Sequence, residues 1–298
     1  MTSIVLTLKA RGKPIKAIPP RISLQSSDST AALYHKLSAK SGYSVHRLRL
    51  SLKYDGSGGL SNATGDTLTG AGVVDGADIF VKDLGPQIDW RTVYLIEYIG
   101  PLLINPLVYF IRLARPTPEQ TLTLYMVMGH FIKREMETIF VHRFSSATMP
   151  TRNLFKNCLH YWGLSGVILG WFMYKPSDSA PLHSPSPLSY IGLLIFAIGA
   201  SMNTYVHLVL RNLRPAGTTQ RQIPSGLGFA WVTCPNYMFE TMAWVGILMV
   251  SRSWVVLLFI VASVTQMKAW ADRKEVKYRR DFPGVYSPKK YTIIPFLL

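Results

Sequence analysis

The 298-residue chain has only two cysteines, Cys158 and Cys234, and half as many acidic as basic residues, 16 Asp and Glu against 32 Lys and Arg. Two thiols in apolar or helix-start surroundings argue against a disulfide framework and against a cysteine-rich zinc ligand set. The usual loops of soluble enzymes are missing too. There is no HExxH helix, no nucleophile elbow and no Walker loop, and Gly226-Leu227-Gly228 has neither the third glycine nor the preceding strand of a dinucleotide fingerprint. Any nucleotide is therefore to be held outside a Rossmann fold. The opening residues MTSIVLTLKARGKP contain no apolar core of signal-peptide length, so no cleaved leader is expected.

What the chain does have is apolar mass combined with positive charge. Hydrophobic residues make up 48%, and the formal net charge is +16. The two coexist in a multi-pass membrane protein whose Lys and Arg lie on the cytosolic side, or whose basic groups hold a phosphorylated ligand. The basic residues are interleaved with long apolar runs, which argues against nucleic acid as the partner.

Residues 1–85 read differently from 86–298. Ile4, Leu6 and Leu8 alternate with polar residues, a turn follows at Gly12, and Ser27 to Ser41 carries a helical pattern capped by Ser or Asp. A strand in RLRLSL (Arg47 to Leu52), a glycine-rich turn at Gly56 to Gly59 and a last strand in ADIFVKDLG complete the segment. This order resembles a small α+β ubiquitin-like β-grasp domain, read as a cytosolic cap. From Trp90 onward the pattern is that of an α-helical integral membrane bundle. About six transmembrane helices are expected, near Val93 to Ile111, Leu122 to Val141, Leu154 to Tyr174, Leu188 to Leu210, Tyr237 to Val250 and Trp254 to Ala271. An even count puts both termini on one side, and the basic tail (Lys268, Arg273, Lys274, Lys277, Arg279, Arg280) makes that side cytosolic.

Polar residues inside these spans are clustered. Glu97 stands four residues before Pro101, which cannot donate to the Glu97 carbonyl, so a bend and a cavity are expected there. His130, Lys133, Arg134 and Glu137 share one face of the second span, and Asn203, His207, Arg211 and Arg214 one face of the fourth. One such stripe could simply glue helices together; several converging stripes point to a binding site. The stretch WVTCPNYMFE (Trp231 to Glu240) opens the fifth span. Pro235 suits a first helical turn with Thr233 or Cys234 as its cap, and Asn236 and Glu240 stack on one face with Tyr237 at the flank. The cations Lys133, Arg134, Arg211, Arg214 and Arg221 suit a pyrophosphate and a third phosphate, so NADPH fits as cofactor.

EYIGPLL (Glu97 to Leu103), HFIKREMETIFVHRFS (His130 to Ser145), HLVLRNLRPAG (His207 to Gly217), IPSGLGFAWVTCPNYMFE (Ile223 to Glu240) and the ending IIPFLL together resemble the very-long-chain trans-2-enoyl-CoA reductases of the steroid 5α-reductase family. The resemblance implies an endoplasmic-reticulum enzyme that uses NADPH for the last reduction of the fatty-acid elongation cycle, which feeds sphingolipid and lipid synthesis. Its substrate is an acyl-CoA, and its neighbours are membrane lipids and other elongation enzymes. Tyr237 is then the proton donor. Glu97 is a substrate or nicotinamide partner: a neutral hydrogen-bond donor if buried, or a positioning anion if paired with Lys133, the third catalytic candidate. Asn203, His207, Arg211, Arg214, Asn236, Glu240 and Arg134 are cofactor contacts, and Lys274 and Tyr278 belong to a cofactor lid; no metal is implied.

Two departures from the family pattern matter. Phe131 stands where many relatives have a tyrosine, which removes a competing acid and argues against a steroid substrate. Glu275 stands where relatives have a histidine between Lys274 and Tyr278. The alternatives are a steroid or polyprenol reductase of the same family, an isoprenylcysteine-type membrane methyltransferase, and a non-enzymatic membrane adaptor. Cys234-Pro235 lacks the histidine expected of the methyltransferase.

Overall fold

Alternation at the start of the chain becomes a strand with one buried edge of side chains. In the computed structural model, which describes residues 2–12, 14–15, 18–62, 66–144, 147–176, 184–213 and 222–298, β1 (Ser3–Ala10) buries Ile4, Leu6 and Leu8. It pairs antiparallel with β2 (Arg21–Gln25), setting Leu6 opposite Ile22, and parallel with β4 (Asp78–Asp83), setting Leu8 opposite Ile79. β3 (Leu48–Ser51) completes the sheet order β2-β1-β4-β3. Helix α1 (Thr30–Ser41), capped by Ser29, buries Leu33, Tyr34 and Leu37 in the same core as the inward residues of the sheet. The Tyr34 hydroxyl has a full set of partners there, accepting from the Leu50 N–H and donating to the Leu60 carbonyl, both at 3.0 Å. Arg47 donates two bonds to Asp83, at 2.6 and 2.7 Å, and holds that carboxyl below its ordinary pKa. A short pair of strands, β5 (Gln87–Asp89) and β6 (Thr148–Pro150), also belongs to this first unit, which comprises Met1–Trp90 and Ser146–Asn153.

The second unit, Arg91–Ser145 and Leu154–Leu298, is helical. It contains α2 (Trp90–Arg112), α3 (Pro118–Phe140), α4 (Arg152–Cys158), a π-helical run over Leu159–Ile168, α5 (Leu169–Met173), α6 (Pro187–Asn212), α7 (Pro235–Ser251) and α8 (Trp254–Asp281). Among the described residues three helices, α2, α6 and α8, are long and apolar enough to cross a membrane. The other three expected spans are helical where expected but differ in kind. α3 carries a charged stripe, the third is divided among α4, the π run and α5, and α7 has 17 residues, about 26 Å of helix and shorter than a hydrocarbon core.

The closest helix pair is α6 with α7, and small residues permit it. A Cβ added at Gly199 would lie 2.6 Å from the Ala243 nitrogen, and one at Gly246 would lie 2.5 Å from the Gly192 carbonyl oxygen. Backbones that approach this far exclude any larger side chain, the device membrane helices use to pack without a hydrophobic driving force. α2 stays helical through Pro101 and Pro106. The Asn105 side-chain amide donates to the Pro101 and Ser165 carbonyls at 3.0 and 3.2 Å, linking α2 to the π run, and the Trp162 indole donates to the Ile96 carbonyl at 2.8 Å over Gly100. A central apolar cluster of Tyr98, Phe131, Trp244, Ile247, Val256 and Phe259 joins α2, α3, α7 and α8.

Candidate active site

The site is built where α2, α3, α6 and α7 come together, and its centre is Arg134. The Arg134 guanidinium donates to Glu137 Oε2 at 2.9 Å, to His207 Nε2 at 3.1 Å and to the Tyr98 hydroxyl at 2.7 Å. Glu137 accepts in addition from Lys133 Nζ at 3.0 Å and from the Thr204 hydroxyl at 2.8 Å. Lys133 also donates to Asn203 Oδ1 at 2.5 Å, and Asn203 in turn donates its amide N–H to the Asn236 carbonyl at 2.7 Å. His130 Nε2 lies 3.3 Å from Glu240 Oε1. One connected network therefore runs from α2 through α3 and α6 to the first turn of α7. Removing a partner from so buried a network costs more than a surface bond, since the remaining group is left desolvated and unpaired.

The structure thus joins Lys133, Arg134, Asn203, His207 and Asn236. Glu97 sits one residue from Tyr98 and is 1% exposed, and it accepts from the Asn157 amide at 2.6 Å. Lys133, the partner in one of the two alternatives for Glu97, bonds instead to Glu137, one turn along the same helix, and to Asn203. Arg134, expected as a phosphate contact, bonds here to Glu137, His207 and Tyr98. Arg211 lies one turn beyond His207 and its carbonyl accepts from Arg143 at 3.2 Å. Arg214 and Arg221 fall outside the described residues.

Tyr237 is the third residue of α7, whose N-cap is Cys234 with no bond from its side chain. Thr233, the other residue expected to cap, turns away to donate to Glu275 Oε2 at 2.6 Å. On one side Tyr237 packs with Cys234, Met267 and Ile293, while Arg134, Tyr94 and Tyr161 lie within electrostatic range of its phenol. Gly228, at φ 84, lets the preceding segment close onto α7: a Cβ there would lie 2.5 Å from the Pro235 ring. Lys274 sits over the Tyr278 ring at 5.7 Å, and Tyr278 packs on Phe282 and Tyr286, so these two residues belong to a second group at the end of α8.

Several residues of this region gave no sequence signal of their role. Tyr98, Tyr161 and Asn157 read as ordinary residues of apolar helices, yet Tyr98 and Asn157 bond to Arg134 and Glu97, and the Tyr161 ring stands edge-on to Tyr98 at 5.1 Å. Glu275, noted in the sequence as a departure, is buried and gathers the Thr233 hydroxyl, the Tyr286 hydroxyl, Arg279 Nε at 2.9 Å and the Lys289 N–H at 2.9 Å. Burial and the bond to Glu275 push the Tyr286 phenol above its ordinary pKa.

Two buried polar atoms here, Asn236 Oδ1 and His130 Nδ1, have no partner. An acceptor and a ring nitrogen shielded from water are costly unless something meets them. A carboxamide-bearing nucleotide ring has the donor and acceptor for both, so the residues present fit a nicotinamide. A cation fits less well. Glu137, His142 and His207 offer ligand atoms within 4.8 Å of one another, but the Arg134 guanidinium already bonds to two of the three.

Residues 147–298 match the family described as 3-oxo-5-alpha-steroid 4-dehydrogenase. Over 98% of the chain and 99% of the relative, it is 40% identical to a Schizosaccharomyces pombe protein carried under the provisional name of an enoyl reductase. It is 38% identical to the very-long-chain enoyl-CoA reductase of Dictyostelium discoideum, over 93% of the chain and 94% of the relative. The chain belongs to this family of membrane reductases. The human trans-2,3-enoyl-CoA reductase-like protein is more distant, 30% identical over 74% of the chain and 64% of its own length. The family match begins after α3, so Glu97 and the α3 stripe lie outside it, while the two long relatives span both units.

Proposed function

We propose that the chain reduces the trans-2 double bond of long-chain and very-long-chain enoyl-CoA with NADPH, as a multi-pass enzyme of the endoplasmic-reticulum membrane. Both termini are cytosolic in this reading, about six helical segments form the membrane domain, and residues 1–85 form a ubiquitin-like β-grasp. The reaction is the closing step of fatty-acid elongation, so other elongation enzymes are partners. The observation that carries it is the buried network from Tyr98 to Asn236, which ends beside Tyr237 in a chain whose full-length relatives are named as enoyl reductases.

An enoyl thioester accepts hydride at Cβ and leaves an enolate that must be stabilised and protonated at Cα. A nicotinamide, when bound, supplies the hydride. Asn203, His207, Asn236 and Glu240 would hold it, with Arg211 and Arg214 toward its phosphates; the 2′-phosphate is the reason for preferring NADPH. The Tyr237 hydroxyl, protonated at cytosolic pH, gives its proton to Cα. Glu97, fixed by Asn157, and the Lys133–Asn203 pair orient the reacting end. Apolar helix faces admit the acyl chain from the side.

The test is a turnover assay on the purified chain in detergent, following loss of reduced-nicotinamide absorbance. A long trans-2-enoyl-CoA should be reduced with NADPH faster than a 3-oxo-4-ene steroid or a polyprenal. Faster steroid reduction would assign the chain to that chemistry; no oxidation with any acceptor would remove the enzymatic reading.

A further inference from the structure

A second polar region lies at the other end of the helical unit. The turns joining α2 to α3 and α7 to α8, with the end of α5, surround a cavity of about 630 Å³. Along α3 seven residues separate Thr123 from His130, and along α7 ten separate Val250 from Glu240, roughly 10 and 15 Å at 1.5 Å per residue. It is not part of the Arg134 network.

Its lining is basic. Arg112, Lys175 and Arg252 face one carboxylate, Glu119, which accepts from the Ser186 N–H at 3.0 Å. Arg112 lies over the Trp171 ring at 3.7 Å and donates to the Trp171 carbonyl, and Arg252 donates to the Ser186 hydroxyl. Among the described residues neither guanidinium is in an ion pair. Arg252 moreover caps α7 in the left-handed conformation, at φ 50 and ψ 24. Glycine adopts that conformation freely and a larger residue does so at a backbone cost, so the arginine at this cap is strained rather than placed there by backbone preference.

Two further features point to an anion. Thr123, 1% exposed, is one of the lining residues, and its hydroxyl has no partner. The first turn of α8, a 28-residue helix, contributes Ser253 and Trp254 to the wall, and the Ser253 side chain does not cap it. Uncapped amides and the positive end of a long helix favour a negative group. Trp171 and Trp254, both more than half exposed, are the aromatics that settle at the level of lipid headgroups.

We propose that this cavity binds the phosphate-bearing headgroup of a membrane lipid, with Arg112 and Arg252 as the guanidinium donors, Lys175 as a point charge and Thr123 as a hydroxyl donor. The proposal does not depend on the chemistry at Tyr237. Its test uses the full chain purified in detergent, with native mass spectrometry after exposure to phosphatidic acid or to diacylglycerol, which has the same acyl chains without phosphate. Phosphatidic acid should be retained over diacylglycerol, and Arg252→Gly should lower that retention about tenfold or more, the worth of a charge-assisted hydrogen bond. Glycine suits the left-handed cap, so this variant should melt at the same temperature or higher, which separates lost binding from lost folding. Equal retention by wild-type and Arg252→Gly, or no preference for the phosphate lipid, would overturn the proposal. Thermal protection by inorganic phosphate at matched ionic strength, without any lipid preference, would overturn the lipid source and leave a free-phosphate site.

Discussion

Tyr237 illustrates how little a residue's type reveals without its neighbours. A tyrosine at the start of an apolar helix is ordinarily an interfacial aromatic. Here Asn236 beside it is fixed through its carbonyl by Asn203, and Arg134 lies within electrostatic range of the phenol. Phe131, 1% exposed and edge-on to His130, has no hydroxyl to compete for the acid role. Tyr237→Phe should therefore keep folding and NADPH affinity while lowering turnover by roughly two to four orders of magnitude, the usual worth of a positioned general acid. The readouts are NADPH titration and single-turnover reduction of a long trans-2-enoyl-CoA. Near-normal turnover with normal binding would move the acid role to Glu97 or to water. Of the expected site residues, those on the α3 and α6 faces were legible because their spacing is helical. The redirection of Arg134 and Lys133 to Glu137 was not, because it depends on which helix packs against α3.

At the scale of elements, the α6–α7 contact decides whether the site exists. Gly192 and Gly199 on one helix meet Gly246, Ala243 and Phe239 on the other at backbone distance, and this proximity lets the Asn203 side chain reach the Asn236 carbonyl. Gly199→Ala places a methyl 2.6 Å from the Ala243 nitrogen, with the Phe239 carbonyl oxygen at 2.9 Å, so rigid backbone must shift. We expect a loss of about 1–3 kcal/mol in stability together with weaker NADPH binding. A thermal melt paired with a cofactor titration checks both, and an unchanged melting temperature would show that the helices can separate at no cost. The ten-residue π run is the element with no sequence signature. Its residues read as a bilayer span, and its wider turn became visible only where Trp162 reaches Ile96 and Ser165 meets Asn105.

For the whole molecule, every candidate catalytic and cofactor residue among the described ones lies in the helical unit, and the first unit has its own core. A chain beginning at Pro86 retains β5 and β6 as well as the helices, so it should keep measurable turnover if the detergent-solubilised protein remains folded by circular dichroism. Complete loss of activity in a folded truncation would give residues 1–85 a part in the reaction. The sequence by itself determined most of the strands and helices, though not β5, β6 or the π run, because alternation and helical spacing are local properties of the chain. It also determined that polar stripes share helix faces, and the motifs that mark the family. Only the tertiary structure decided that the Arg134 charge turns inward, that the carboxylate of Glu275 ties Thr233 to Tyr286, and that Asn236 Oδ1 stays unpartnered. Each of these depends on residues far apart in the chain meeting across packed helices, and burial then makes the Arg134 charge and the Glu275 carboxylate too costly to leave unpaired.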